Sequence, residues 1–211
     1  MPTANTLALF AVSAALLILI PGPAVLYIVA RSIHQGKRAG LLSALGVEFG
    51  SLVHIVGAAV GLSAILVSSS VAFSVVKFAG AAYLIYLGIR TLVTRDEPAA
   101  SVDLRPVDLR RVFGQGVIVN VLNPKVALFF FAFFPQFIDP DRGSVVLQTL
   151  VLGAVFCLVG TVLDCTWALA AGTAGDWLKG NVQFVRRQRF VTGAIYLGLG
   201  VTTAFTGSGK K

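Results

Sequence analysis

Four ionisable side chains stand inside otherwise apolar stretches of the chain: Glu48, His54, Lys125 and Asp164. A charge at the centre of a lipid-spanning helix costs about 2.5–3.5 kcal/mol on insertion scales, so each needs a partner or a cavity. Lys125 follows directly on Asn123-Pro124. A fixed cation there suits a substrate carboxylate, or pairs with Asp164 or an unwound carbonyl. Asp164 suits a substrate ammonium or a transported proton, or simply neutralises Lys125. Glu48, about two turns into its apolar stretch, is a second candidate for proton coupling, or snorkels to a membrane mouth. His54 lies on one helical face with Gly46, Gly50, Gly57 and Gly61, which predicts close packing against a neighbour. Imidazole titrates near neutrality, so His54 also stands as a proton-carrier candidate.

These groups sit near two breaks. Pro21-Gly22-Pro23 interrupts the first apolar run, and Asn123-Pro124 interrupts another about a hundred residues later. In a lipid-buried helix each proline removes a donor and frees the carbonyl four residues back, here those of Leu17, Leu19 and Asn120. Such backbone is tolerated at membrane depth only where protein or a water-filled cavity supplies partners. Interrupted segments at corresponding places in two halves point to a transporter's binding site. The candidate substrate-binding residues are therefore Pro21, Gly22, Pro23, Asn120, Asn123, Pro124, Lys125 and Asp164. Asn120 and Asn123 either cap the broken helix or meet the ligand.

Elements that hold such a site must span a membrane. Of 211 residues, 56% are hydrophobic and only 12% charged, about half the charge of a soluble domain. At roughly 20 residues per span, the pattern predicts an all-α bundle of six, near Leu7–Ala30, Gly40–Val67, Val71–Val93, Val112–Ile138, Val145–Gly172 and Phe190–Phe205. The whole chain, 1–211, reads as one membrane domain. A hydrophilic linker over about 94–111 separates a repeat over 7–93 from a second over 112–206. Gly80-Ala81-Ala82-Tyr83-Leu84 recurs as Gly193-Ala194-Ile195-Tyr196-Leu197. With the matching proline breaks in spans one and four, this predicts two inverted three-helix repeats. Basic residues, beginning with Arg31, Lys37 and Arg38 after span one, crowd the loops after spans one, three and five, which places those loops in the cytoplasm and both termini outside. The uncharged N-terminal run extends beyond the length of a cleaved signal peptide.

Several classes are excluded by pattern. The net charge of +8 is scattered beside apolar runs rather than gathered in a stripe, which argues against nucleic acid. Cys157 and Cys165 have no CxxC spacing and imply neither disulfide nor metal. No HExxH or Gly-x-Ser-x-Gly motif suggests an enzyme, and no cofactor is implied. The paired glycines of span two serve packing within the bundle or a homo-oligomer contact. The phenylalanines of 129–134 cover every helical face and predict mostly lipid contact and packing. Tyr27, Tyr83, Tyr86 and Tyr196 read as generic bundle or belt residues.

At these residues the chain resembles the LysE/RhtB group of bacterial amino-acid exporters. The resemblance runs through Pro21-Gly22-Pro23, the Gly36–Gly40 basic turn, the glycines with His54, and Gly80-Ala81-Ala82-Tyr83-Leu84-Ile85-Tyr86-Leu87-Gly88. It continues in Asn123-Pro124-Lys125, Leu128-Phe129-Phe130 and Phe133-Phe134-Pro135-Gln136-Phe137. It implies export of amino acids or close derivatives from the cytoplasm across the inner membrane, by proton antiport. A passive facilitator for small zwitterions is the alternative. Glu48 departs from the family pattern, where a small or apolar residue is usual.

Overall fold

The computed structural model describes residues 1–68 and 108–173, together with a few single positions elsewhere. Among the described residues there are helices and no strands. The Gly80 and Gly193 repeats, spans three and six, and most of the linker lie outside them.

Helix α1 (Ala4–Leu19) starts where the Thr3 hydroxyl accepts from the Thr6 amide at 3.1 Å. It stops before Pro21, and Ile20 turns back to donate to the Leu17 carbonyl at 3.3 Å. Helix α2 (Pro23–Gln35) restarts with proline at its first position, where the missing N–H costs nothing. The two axes differ by 56°. Gly36 then takes φ +85°, a left-handed conformation that suits glycine, and releases the chain into α3 (Lys37–Ser68).

The second interrupted segment is built alike. Helix α4 (Leu109–Val121) begins at an Asp108 cap and ends in a turn. Helix α5 (Pro124–Leu128) restarts on Pro124, with the Asn123 side chain accepting from the Lys125 amide at 3.1 Å. It runs into a π-helical turn, Phe129–Phe133, and a 3₁₀ turn, Phe134–Phe137. The bend across this break is 45°. After a short 3₁₀ turn at Pro140–Arg142 comes α6 (Val145–Thr173).

By length and composition α3 and α6 can each cross a membrane, and each bent pair can count as one more crossing. This gives two to four spans among the described residues, at the places expected for spans one, two, four and five. The exposed faces are apolar: Leu9, Val12 and Leu16 on α1, Val53, Val56 and Val60 on α3, Leu158 and Val162 on α6. Such surface suits lipid rather than water.

Helix α3 is the central post, packed on α2, α4 and α6. Its approach to α4 is close. A Cβ at Gly46 would overlap the Phe113 carbonyl, and one at Gly116 would sit 2.8 Å from the Ser43 carbonyl oxygen. The helical face expected from Gly46, Gly50 and His54 is thus the α4 interface. Gly57 and Gly61 have no described neighbour within 4 Å.

The aromatic run differs from expectation. Phe129, Phe130, Phe133 and Phe134 are all buried and only Phe131 is clearly exposed. At spacings i, i+1, i+4 and i+5 these four rings share one side of the segment, where they pack with Phe10 and Phe156. Of the two places open to Tyr27, bundle or belt, it takes the bundle: its buried hydroxyl donates to the Val112 carbonyl at 2.7 Å. Arg31, counted as a loop cation from sequence, closes α2 from inside at 1% exposure. Its guanidinium donates to Gln35 at 2.7 Å and Gln115 at 2.9 Å and lies over the Tyr27 ring.

Candidate functional site

The two helix breaks and the mid-membrane charges meet. One cavity is lined by Gly22, Ala24 and Val25 at the start of α2, Glu48 and Ser51 on α3, and Asn120, Asn123 and Lys125 at the α4–α5 break. Phe156 and Asp164 on α6 also face it, and Leu17, Ile18, Val47 and Val126 supply the rest of its apolar wall. Its volume is about 30 Å³, room for one or two waters and too little for an amino acid. The site is therefore described in a closed form, and a solute of that size enters only if the helices part.

Lys125 is 7% exposed although its segment is short, because Gly22 opposite has no side chain: a Cβ there would lie 3.2 Å from the Lys125 Cδ. The ammonium donates to the Ile20 carbonyl at 2.6 Å, so a carbonyl freed by the first break is capped by the cation of the second. No ion pair joins Lys125 to Asp164, although they are near enough for electrostatic attraction. Of the partners open to Lys125 from sequence, the unwound carbonyl is the one it contacts.

Asp164 and Glu48 lie side by side from α6 and α3. Glu48 does not snorkel, since it is 8% exposed and its carboxylate fills the place a Gly160 side chain would take. Asn120 divides its roles. Its amide donates to the Val47 carbonyl at 2.7 Å and the Ser51 hydroxyl at 2.9 Å, tying the break to α3. Asn123 is a helix cap. Pro21 and Pro23 shape the bend, with Gly22 and the uncapped first turn of α2 presented to the cavity.

His54 stands outside this lining. Its Nε2 meets the Asn120 carbonyl at 3.0 Å, the carbonyl that Pro124 was expected to free, and its ring stacks on Phe130. That geometry is a structural cap. Replacing His54 with glutamine, which can donate the same bond, is expected to leave transport and its pH profile unchanged. A flattened pH profile in that variant would return His54 to the proton path.

Sequence reasoning passed over Ser51, Gly116 and Gly160. Each matters through a neighbour on another helix, and the one available signal was a small residue in an apolar run.

Buried charges around two broken helices, in a bundle with apolar outer faces, define a helical membrane protein. The model of the LysE type translocator family matches residues 15–207, and the chain belongs to that family. A homoserine/homoserine lactone efflux protein of Salmonella typhimurium is 35% identical over 178 residues, 82% of this chain and 84% of its own. A leucine efflux protein of Salmonella choleraesuis is 33% identical over 160 residues, 73% and 76% of the two chains. An uncharacterised membrane protein of Pseudomonas aeruginosa is 33% identical over 199 residues, 92% and 88%. No solved structure gives a significant match.

Proposed function

We propose that the protein exports amino acids or close derivatives from the cytoplasm across the bacterial inner membrane, in exchange for protons. The observation that carries this reading is one cavity lined both by Lys125 at a helix break and by the Asp164–Glu48 pair. A zwitterion needs a cation for its carboxylate and anions for its ammonium. Lys125, aided by the first-turn amides of α2, takes the carboxylate, and Asp164 with Glu48 takes the ammonium or, between substrates, a proton. The relatives named for homoserine and leucine efflux support the solute class.

In this account the bundle has six spans in two inverted repeats, 7–93 and 112–206, with basic loops in the cytoplasm and both termini outside. Opening the cavity alternately to either face carries the solute outward. The test is efflux from proteoliposomes loaded with the twenty amino acids, homoserine and homoserine lactone, with and without an imposed pH gradient. Selective loss that a gradient accelerates is expected. Selective loss indifferent to the gradient contradicts antiport and leaves a facilitator, and no loss from folded protein contradicts the exporter.

A further inference from the structure

Among the described residues, three acceptor oxygens in this site are buried without a hydrogen-bond partner: Glu48 Oε2, Asn120 Oδ1 and Asp164 Oδ1. Their side chains come from α3, α4 and α6, are 8%, 1% and 3% exposed, and line the same cavity. The Asn120 orientation is fixed by its surroundings. Its Nδ2 donates to the Val47 carbonyl, which only accepts, so Oδ1 is the atom left over. Glu48 is held against α6 in the space provided by Gly160. Among the described residues lining the cavity the one cation is Lys125, which gives one of its three N–H donors to the Ile20 carbonyl and forms no ion pair with Asp164; His54 meets the Asn120 carbonyl. Among the described residues, Cys157 beside Glu48 and Cys165 beside Asp164 are the other titratable groups at hand, and a thiol is a weak donor.

We infer that Glu48, Asn120 and Asp164 form a three-point seat for a primary ammonium group, so that the exporter selects solutes bearing an unsubstituted –NH₃⁺. The inference rests on the exporter reading and narrows it. Buried acceptors with no donor are costly, and a ligand that brings donors recovers that cost. A primary ammonium carries three N–H groups on a tripod, one for each oxygen. A secondary ammonium has two and sets a carbon where the third hydrogen bond belongs. A quaternary ammonium has none. Sites built around substrate N–H groups reject analogues lacking them far more strongly than apolar pockets reject a methyl. Glu48 thereby becomes a specificity residue.

The test uses the full chain in proteoliposomes loaded with the twenty amino acids and homoserine. The acid that leaves fastest is then compared with its own N-methyl form. Proline is expected to stay behind, and N-methylation to slow efflux roughly tenfold or more. In Glu48→Gln the parent should slow more than the N-methyl form, so their ratio shrinks toward one. Equal slowing of both solutes would mark a merely structural role and overturn the seat. N-methyl solute leaving as fast as its parent from the unmodified protein overturns the seat and spares the exporter. A sodium requirement that Glu48→Gln abolishes would reassign the oxygens to a metal cation. No efflux of any acid from folded protein overturns both readings together.

Discussion

Replacing Lys125 with alanine is expected to abolish amino-acid efflux while the protein still folds. Lys125 is the one cation among the described residues that line the cavity, and it is buried at the point where two helix breaks meet. Truncation removes the partner of a substrate carboxylate. A hydrogen bond to a charged group contributes about 1.5–3 kcal/mol, so the loss in rate should reach one to two orders of magnitude. Folding tolerates the change because the vacated space adjoins a cavity with room for one or two waters, which can meet the Ile20 carbonyl in place of the ammonium. Arginine should not substitute. Its planar fork is bulkier than the lysine tip, and the lysine stem already passes 3.2 Å from the site of a Gly22 Cβ. The readout is initial efflux rate per folded protein, with the thermal midpoint in detergent as the control. Full activity in Lys125→Ala would remove the cation from the mechanism.

Gly46→Val should damage the fold itself. The added carbons would meet the Phe113 carbonyl and lie 3.2 Å or less from its Cα, all backbone atoms of α4. A side chain can swing aside from a clash, but a helix backbone cannot, so α3 and α4 must separate. Overpacking of this kind costs about 1–3 kcal/mol and occasionally more. Separation would also stretch the Asn120 bonds to Val47 and Ser51, which hold the α4–α5 break in place. A lower thermal midpoint together with lost efflux is expected. An unchanged midpoint would mean that the close α3–α4 approach is not required.

The parts of this site legible in sequence are those governed by local rules. Proline geometry marks Pro21, Pro23 and Pro124 as breaks wherever they occur in a helix. The cost of charge in lipid singles out Glu48, Lys125 and Asp164 before any partner is known. Long-range geometry was hidden for a physical reason. Whether Lys125 faces Asp164 or the Ile20 carbonyl depends on how two breaks dock, and a freed carbonyl leaves no trace in composition. Glycine positions were ambiguous likewise: Gly46 and Gly50 stood out by spacing, whereas Gly116 and Gly160 matter through Ser43 and Glu48 on another helix. The phenylalanines misled because the run was read as covering every face, whereas their spacing sets Phe129, Phe130, Phe133 and Phe134 on one side and Phe131 on the other. Arg31 misled because a basic residue beside a turn ordinarily faces water, while here Gln35, Gln115 and Tyr27 enclose it.

The most direct test of the central claim, that solute occupies the cavity between the two breaks, is substrate protection at Ser51. This side chain is 1% exposed and lines the cavity on α3. In a Cys157→Ala, Cys165→Ala background, Ser51→Cys is labelled with a small maleimide in proteoliposomes shown to be active in efflux. Val60→Cys on the outer face of the same helix, 67% exposed, serves as the reference. The account predicts that saturating exported amino acid slows labelling at position 51 severalfold and leaves position 60 unchanged. Labelling at position 51 that ignores the amino acid would contradict the site.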